Sequence, residues 1–171
     1  IFEKFREIPT YYIEIGRFVE NGKRKKDAKK SKSSDTVKLG INNAELMYIH
    51  ENGSPLNHIP KRPVLKMTID YAKKYLLKDT LAKAVKSYVE NGFDLKAYER
   101  ELTKMCLKME NYARDIIYSN DGRLAPNTPN VARRKKGNHP LFDTGQLARS
   151  ITCRLVKSWR KETAKIGKCC I

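Results

Sequence analysis

Between residues 64 and 119 the apolar residues recur every three or four positions, and on either side of that block they recur every two. That switch of period constrains the fold more than any other feature, because the two spacings belong to helix and strand respectively. Leu65, Ile69, Ala72, Leu76, Leu81, Val85 and Tyr88 define a first long helix over residues 64–91, closed by Asn91-Gly92. Asp94 caps a second over residues 94–119. It carries Leu95, Tyr98, Leu102, Met105, Met109, Ala113 and Ile116 and closes at Asn120-Asp121-Gly122. A turn of two or three residues between them predicts an antiparallel helical hairpin.

The flanks read as strands. In residues 11–20, Tyr11, Ile13, Ile15 and Val19 face one way and Tyr12, Glu14, Gly16 and Phe18 the other. Residues 36–41 place Val37, Leu39 and Ile41 on one face, and residues 151–159 do the same with Ile151, Cys153, Leu155 and Trp159. The expectation is an α+β fold, a small antiparallel sheet of at least three strands packed against the helical hairpin. At 171 residues it forms one domain spanning 1–171. Minor helices are expected over 1–8, with Phe2 and Phe5 on one side, and over 44–51, with Leu46, Met47 and Ile49, ending near Asn52-Gly53. Pro55, Pro60 and Pro63 force an irregular crossing between that helix and the hairpin. Residues 120–142 form a long Pro-rich loop, with Arg123–Gly137 irregular, and residues 160–171 a basic tail. Met67, Met105, Met109, Tyr71, Tyr75 and Tyr98 read first as core and next as an oligomer interface.

The formal net charge is +17, which favours an anionic partner. Two runs concentrate it. Lys23, Arg24, Lys25, Lys26, Lys29, Lys30 and Lys32 fall in a flexible basic loop over 21–35, and Arg133, Arg134, Lys135 and Lys136 follow Pro129. Neither run interleaves aromatic residues, so any nucleic-acid contact is to phosphates without base readout. Solvated surface is the competing reading of both. No run of 18 apolar residues occurs, so no transmembrane helix and no membrane partner is expected, and Ile1–Arg6 lacks the apolar core of a secretory signal. Cys106 and Cys153 read as core thiols. Cys169-Cys170 offers no metal-ligand spacing, so reduced thiols and synthesis inside a cell are expected.

Catalytic signatures are absent from the sequence: no Walker loop, GxGxxG, HExxH or GxSxG. His50, His58 and His139 each stand beside turn residues, and His50-Glu51 reads as a polar turn rather than an acid–base pair. No enzymatic activity and no cofactor are expected. The stretch Asn138–Ile151 is the other point of organisation. Pro140 sets His139 in an extended or turn conformation, and Leu141 and Phe142 form a short apolar anchor. Asp143 or Thr144 then caps a short helix carrying Leu147, Ala148 and Ile151.

Three stretches together carry a resemblance to a known family. They are Tyr48-Ile49-His50-Glu51-Asn52-Gly53 with Ile59-Pro60-Lys61-Arg62-Pro63, then Pro126–Lys135, then Pro140-Leu141-Phe142-Asp143-Thr144-Gly145-Gln146-Leu147. In order and spacing they resemble the tail-completion, or neck, proteins of long-tailed bacteriophages, over Tyr11 to Val156. The resemblance implies a virion structural protein made in the host cytoplasm and placed at the head–tail junction. It implies a homo-oligomeric ring, hexameric, touching the head connector or head-closure protein on one side and the tail terminator or tail tube protein on the other. Genomic DNA would pass through the lumen. It also implies scaffold roles for His50, Glu51, Gly53, Ile59, Pro60, Arg62, Pro63, Pro140, Leu141, Asp143, Thr144, Gly145 and Leu147. A tail terminator and a stand-alone basic DNA-binding module are the alternatives. The length of the basic loop and the Cys169-Cys170-Ile171 ending depart from the family pattern.

Overall fold

A computed structural model describes residues 2–18, 42–134 and 138–158. The elements in order are α1 (Phe2–Arg6), β1 (Thr10–Gly16), α2 (Asn43–Asn52), α3 (Val64–Tyr71), a π-helical turn (Ala72–Leu76), α4 (Leu77–Glu90), α5 (Leu95–Ser119), α6 (Pro129–Arg134), α7 (Gln146–Ser150) and β2 (Thr152–Ser158). The class is α+β, with β1 and β2 paired antiparallel and packed against helices. The expected third strand, residues 36–41, lies outside the described residues, as do Val19, Trp159, the basic loop 21–35 and the tail 160–171. The described residues gather into two compact units built from interleaved stretches of chain. One comprises residues 2–15, 68–111 and 153–158, the other residues 16–18, 42–67, 112–134 and 138–152.

The first unit holds the sheet and most of the hairpin. The turn at Asn91–Asp94 is longer than expected, and Asp94 caps α5 through its carboxylate, which accepts from Lys96 N at 3.0 Å. Ala84 and Tyr88 pack on Tyr98 and Leu102, and Ala72 packs on Met105 and Met109, which is the antiparallel pairing expected. Tyr11, Ile13 and Ile15 of β1, with Cys153 and Leu155 of β2, cover these clusters, while Arg154 and Glu14 pair across the outer face at 2.7 Å. Among the described residues these are the faces that alternation in the sequence leads one to expect. Phe5, Tyr88, Phe93 and Tyr98 meet edge-on, and the buried Tyr88 hydroxyl donates to Lys4 O at 2.9 Å. Phe2, expected beside Phe5, is exposed, because only Phe5 reaches this cluster. The free thiols of Cys106 and Cys153 sit in this interior.

The face of the first long helix matches the expected one at Ala72, Leu76 and Tyr88 and differs elsewhere. Thr68, Ala72, Leu76, Thr80, Ala84 and Tyr88 point inward, a strict four-residue repeat, whereas Ile69, Leu81 and Val85 stand outside with Tyr75, Leu77 and Val89. A four-residue step overshoots a full α-helical turn by about 40°. The π turn, in which Leu77 N donates to Ala72 O, is wider and takes back part of that drift, so the row stays on the core. Four members of the row, Thr68, Ala72, Thr80 and Ala84, are small, while Leu76 and Tyr88 are large; Ala84 and Tyr88 meet Tyr98 and Leu102, and Ala72 and Leu76 meet Met105 and Met109.

The second unit is assembled around α2. Asn42 and Glu45 form a reciprocal capping box, each side chain accepting from the other's backbone N–H at 2.9 Å. Met47 is buried, and α7 packs against α2. From α5 the unit takes Ala113, Ile116 and Ile117, with Leu124, Leu141, Leu147, Ala148 and Ile151 also buried. The stretch Arg123–Gly137, expected to be irregular, contains α6, which begins at Pro129 and whose first turn hydrogen-bonds back to Thr128 O. Proline at a first helical position is preset for that geometry.

Candidate functional site

The site is built where α2 ends. Gly53, at φ 76°, stops the helix by donating to Ile49 O at 2.7 Å, and a Cβ there would stand 3.1 Å from Lys61 N and 3.2 Å from Ile59 O. Glycine is needed both for the turn and for the close passage of the returning chain. Ser54 and Ile59 exchange backbone hydrogen bonds across the turn Pro55–Asn57, and Arg62 N donates to His50 O at 2.7 Å. Residues 59–62 are thereby laid against the end of α2, and the Arg62 side chain turns inward.

Arg62 is 5 % exposed. Its Nε donates to Ala125 O at 2.7 Å and its Nη2 to Pro126 O at 2.8 Å, with a longer Nη2 contact of 3.4 Å to Asn127 Oδ1. Nη1 meets His50 Nδ1 at 3.4 Å, a contact in which only the guanidinium can donate. Among the described residues no carboxylate pairs with this guanidinium, and burial pulls its pKa below the ordinary value. The side chain joins the crossing after α2 to the loop before α6 by holding that loop's carbonyls.

The stretch around Pro140 supplies the opposite wall. Leu141 is buried at φ 59°, and Phe142 packs edge-on against His139 and Tyr118. The cap residue of α7 is Gly145, at φ 73°, with no side-chain cap bond, and the helix itself begins at Gln146. This corrects the expectation that Asp143 or Thr144 caps it. The left-handed conformation at residue 145 turns the chain into the helix, and Arg149 Nη2 holds Thr144 O at 2.8 Å.

These walls enclose a cavity of about 600 Å³, lined by His50, Ile59, Pro60 and Arg62 from the first motif stretch, and by Leu141, Asp143, Thr144, Gly145 and Leu147 from the last. Asn127, Thr128, Asn130 and Val131 come from the stretch between. The remaining family-motif residues hold backbone instead. Glu51 caps α3, Gly53 makes the turn, Pro63 O accepts from Met67 N at 3.0 Å, and Pro140 is buried. Sequence reasoning missed Leu46, Asn57 and Asn127 as wall residues; Asn127 was within a quoted stretch but carried no signal of its own. Of the basic runs, Arg133 is exposed on α6, while Lys23, Arg24, Lys25, Lys26, Lys29, Lys30, Lys32, Lys135 and Lys136 lie outside the described residues.

A second concavity, about 510 Å³, runs along α4 and α5 in the first unit, with Lys83, Lys86, Lys104 and Lys108 among its lining. Lys104 pairs with Glu101 at 2.6 Å and Lys86 with Glu90 at 3.7 Å, which offsets its charge. Among the described residues no helix is long and apolar enough to cross a membrane. No family model matches this chain, and neither a curated protein nor a solved structure is significantly similar to it.

Proposed function

We propose that this chain is a structural protein of the neck of a long-tailed bacteriophage, a subunit of a ring that completes the tail and joins it to the head connector while DNA passes through the lumen. The observation that carries the reading is the convergence around one cavity of three stretches far apart in sequence, those of the family resemblance. Their polar side chains hold backbone: Arg62 on Ala125 and Pro126, Glu51 on α3. That is the work of a scaffold. The exposed apolar row Leu77, Leu81, Val85 and Val89 supports an assembled state, since such a ridge is surface for a neighbour to cover.

A ring concentrates a charge of +17 per chain in a small volume, and self-repulsion opposes its closure unless DNA or an acidic neighbour offsets it. The test reverses Lys23, Lys25, Lys29 and Lys32 to glutamate, and separately Arg133–Lys136. Joined particles are counted by electron microscopy alongside circular dichroism of each variant. Loss of head–tail joining with folding intact is the expected result. Normal joining with both runs reversed would leave the basic residues as solvated surface. A monomer that binds duplex DNA with steep salt dependence and never forms a ring would favour the DNA-binding module instead.

A further inference from the structure

The cavity of the second unit carries an unbalanced set of donors. A guanidinium has five N–H groups and no acceptor. Arg62 places four of them, on Ala125 O, Pro126 O, Asn127 Oδ1 and His50 Nδ1, and its positive charge meets no carboxylate among the described residues. The Asn127 amide is oriented by that contact, because only its oxygen can face a group made of donors. Its Nδ2 is consequently left inside the wall with no acceptor among the described residues. Asn127 as a whole is only half-buried and lines the cavity. A buried charge with no counter-charge and a buried donor with no acceptor are both costly. Both are relieved by the same thing, an anionic oxygen.

The rest of the lining decides what bears that oxygen. Leu46, Ile59, Pro60, Val131, Leu141 and Leu147 make the cavity predominantly apolar, and its volume of about 600 Å³ accommodates a few amino-acid side chains. A phosphodiester strand would leave these apolar walls uncovered. We infer that this cavity receives an acidic peptide segment of a partner protein, an Asp or Glu carboxylate directed at Arg62 and Asn127 with apolar neighbours on the surrounding walls. The inference stands on the cavity alone and does not need the neck reading. The one acidic residue of the lining, Asp143, is exposed, and its charge opposes the incoming carboxylate.

The test uses the full chain and a blocked peptide, acetyl-Leu-Glu-Leu-amide, titrated while amide NMR signals are followed. Saturable shifts of the Asn127 side-chain amide and of the Gln146 and Leu147 backbone amides are expected. Acetyl-Leu-Gln-Leu-amide should bind about tenfold more weakly or worse, since a charge-assisted hydrogen bond is lost. Asn127→Asp places a carboxylate on Arg62 from within; it should raise thermal stability and abolish peptide binding. Asp143→Asn should keep the fold and tighten binding. Absence of saturable shifts overturns the inference, as does equal binding of the glutamine peptide, which would make the cavity a plain apolar slot. Undiminished binding by a folded Asn127→Asp overturns it too. Inorganic phosphate competing as well as the peptide would assign the cavity to a phosphate ligand and overturn the peptide assignment.

Discussion

Glu51, in the last turn of α2, caps α3: its Oε2 accepts from Leu65 N at 3.0 Å and its Oε1 from Lys66 N at 2.8 Å. The first amides of a helix have no partner within it, and the helix dipole favours a negative charge at that end. Both needs are met here from fourteen residues upstream. The pair His50-Glu51 therefore divides into two structural roles, His50 holding Arg62 and Glu51 holding α3.

Removing that cap should be felt as an ordinary cap deletion. Glu51→Ala is expected to destabilise the chain by about 1–2 kcal/mol, and Glu51→Gln by less, since the amide still accepts one bond. Urea unfolding gives both values. A Glu51→Ala midpoint equal to wild type would mean that water replaces the carboxylate at no loss.

The start of α7 yields a paired prediction. Residue 145 sits at φ 73°, and a Cβ there would lie 3.1 Å from Arg149 Nη1 and 3.3 Å from Phe142 Cε2. Gly145→Ala should cost about 1–2 kcal/mol from the left-handed backbone alone. Asp143 is exposed and caps nothing, so Asp143→Ala should change stability by less than about 0.5 kcal/mol. Thermal melts of the two variants settle the order; the reverse order would restore Asp143 as the cap.

How much of this was legible in the sequence depended on the range of the interaction. The faces of β1, β2 and α5 were readable because each is set by the local period: Tyr11, Ile13 and Ile15 inward, Tyr98, Leu102, Met105 and Met109 inward. The face of α3 and α4 was readable only in part: Ala72, Leu76 and Tyr88 face the core as expected. Assigning the largest apolar residues to the core selects Ile69, Leu81 and Val85, which are exposed, whereas Thr68, Thr80 and Ala84, too small or too polar to be selected that way, are buried. Nothing local announces a π turn either. At the cavity, the motif residues could be named one by one, but their meeting depends on Arg62 reaching carbonyls more than sixty residues downstream. Asp143 was misread because Asp is a good cap by type, whereas the left-handed turn at Gly145 places the helix start beyond it.

Arg62 tests whether shape or charge holds that junction. A lysine keeps the charge but is a point donor and cannot span Ala125 O and Pro126 O together. Arg62→Lys should lose about 2–4 kcal/mol, because a buried carbonyl and a buried charge are both left poorly paired. Urea unfolding measures it, and limited proteolysis should show earlier cleavage near residues 125–128. A loss below about 0.5 kcal/mol would mean that charge alone suffices.

The last prediction concerns acid stability in the first unit. Tyr11 Oη donates to Glu99 Oε1 at 2.7 Å, and Lys157 Nζ reaches the same oxygen at 3.1 Å. The Tyr11 hydrogen bond, with the Lys157 bond and charge, holds the Glu99 carboxyl below its ordinary value, against burial and the nearby Asp94. Burial and the Glu99 contacts push the Tyr11 hydroxyl up, so it stays a donor through the neutral range. A carboxyl depressed by folding binds its proton more readily when unfolded. The stability it contributes is present above the unfolded value of about 4.3 and is lost as pH falls through the folded value. Tyr11→Phe should therefore cost about 0.5–1.5 kcal/mol at neutral pH. The gap between the two proteins should shrink as pH drops from roughly 7 to roughly 3. Unfolding free energies across that range provide the check. A gap that stays constant from neutral to acid pH would show that Tyr11 acts by packing against Tyr98 rather than through the Glu99 carboxylate.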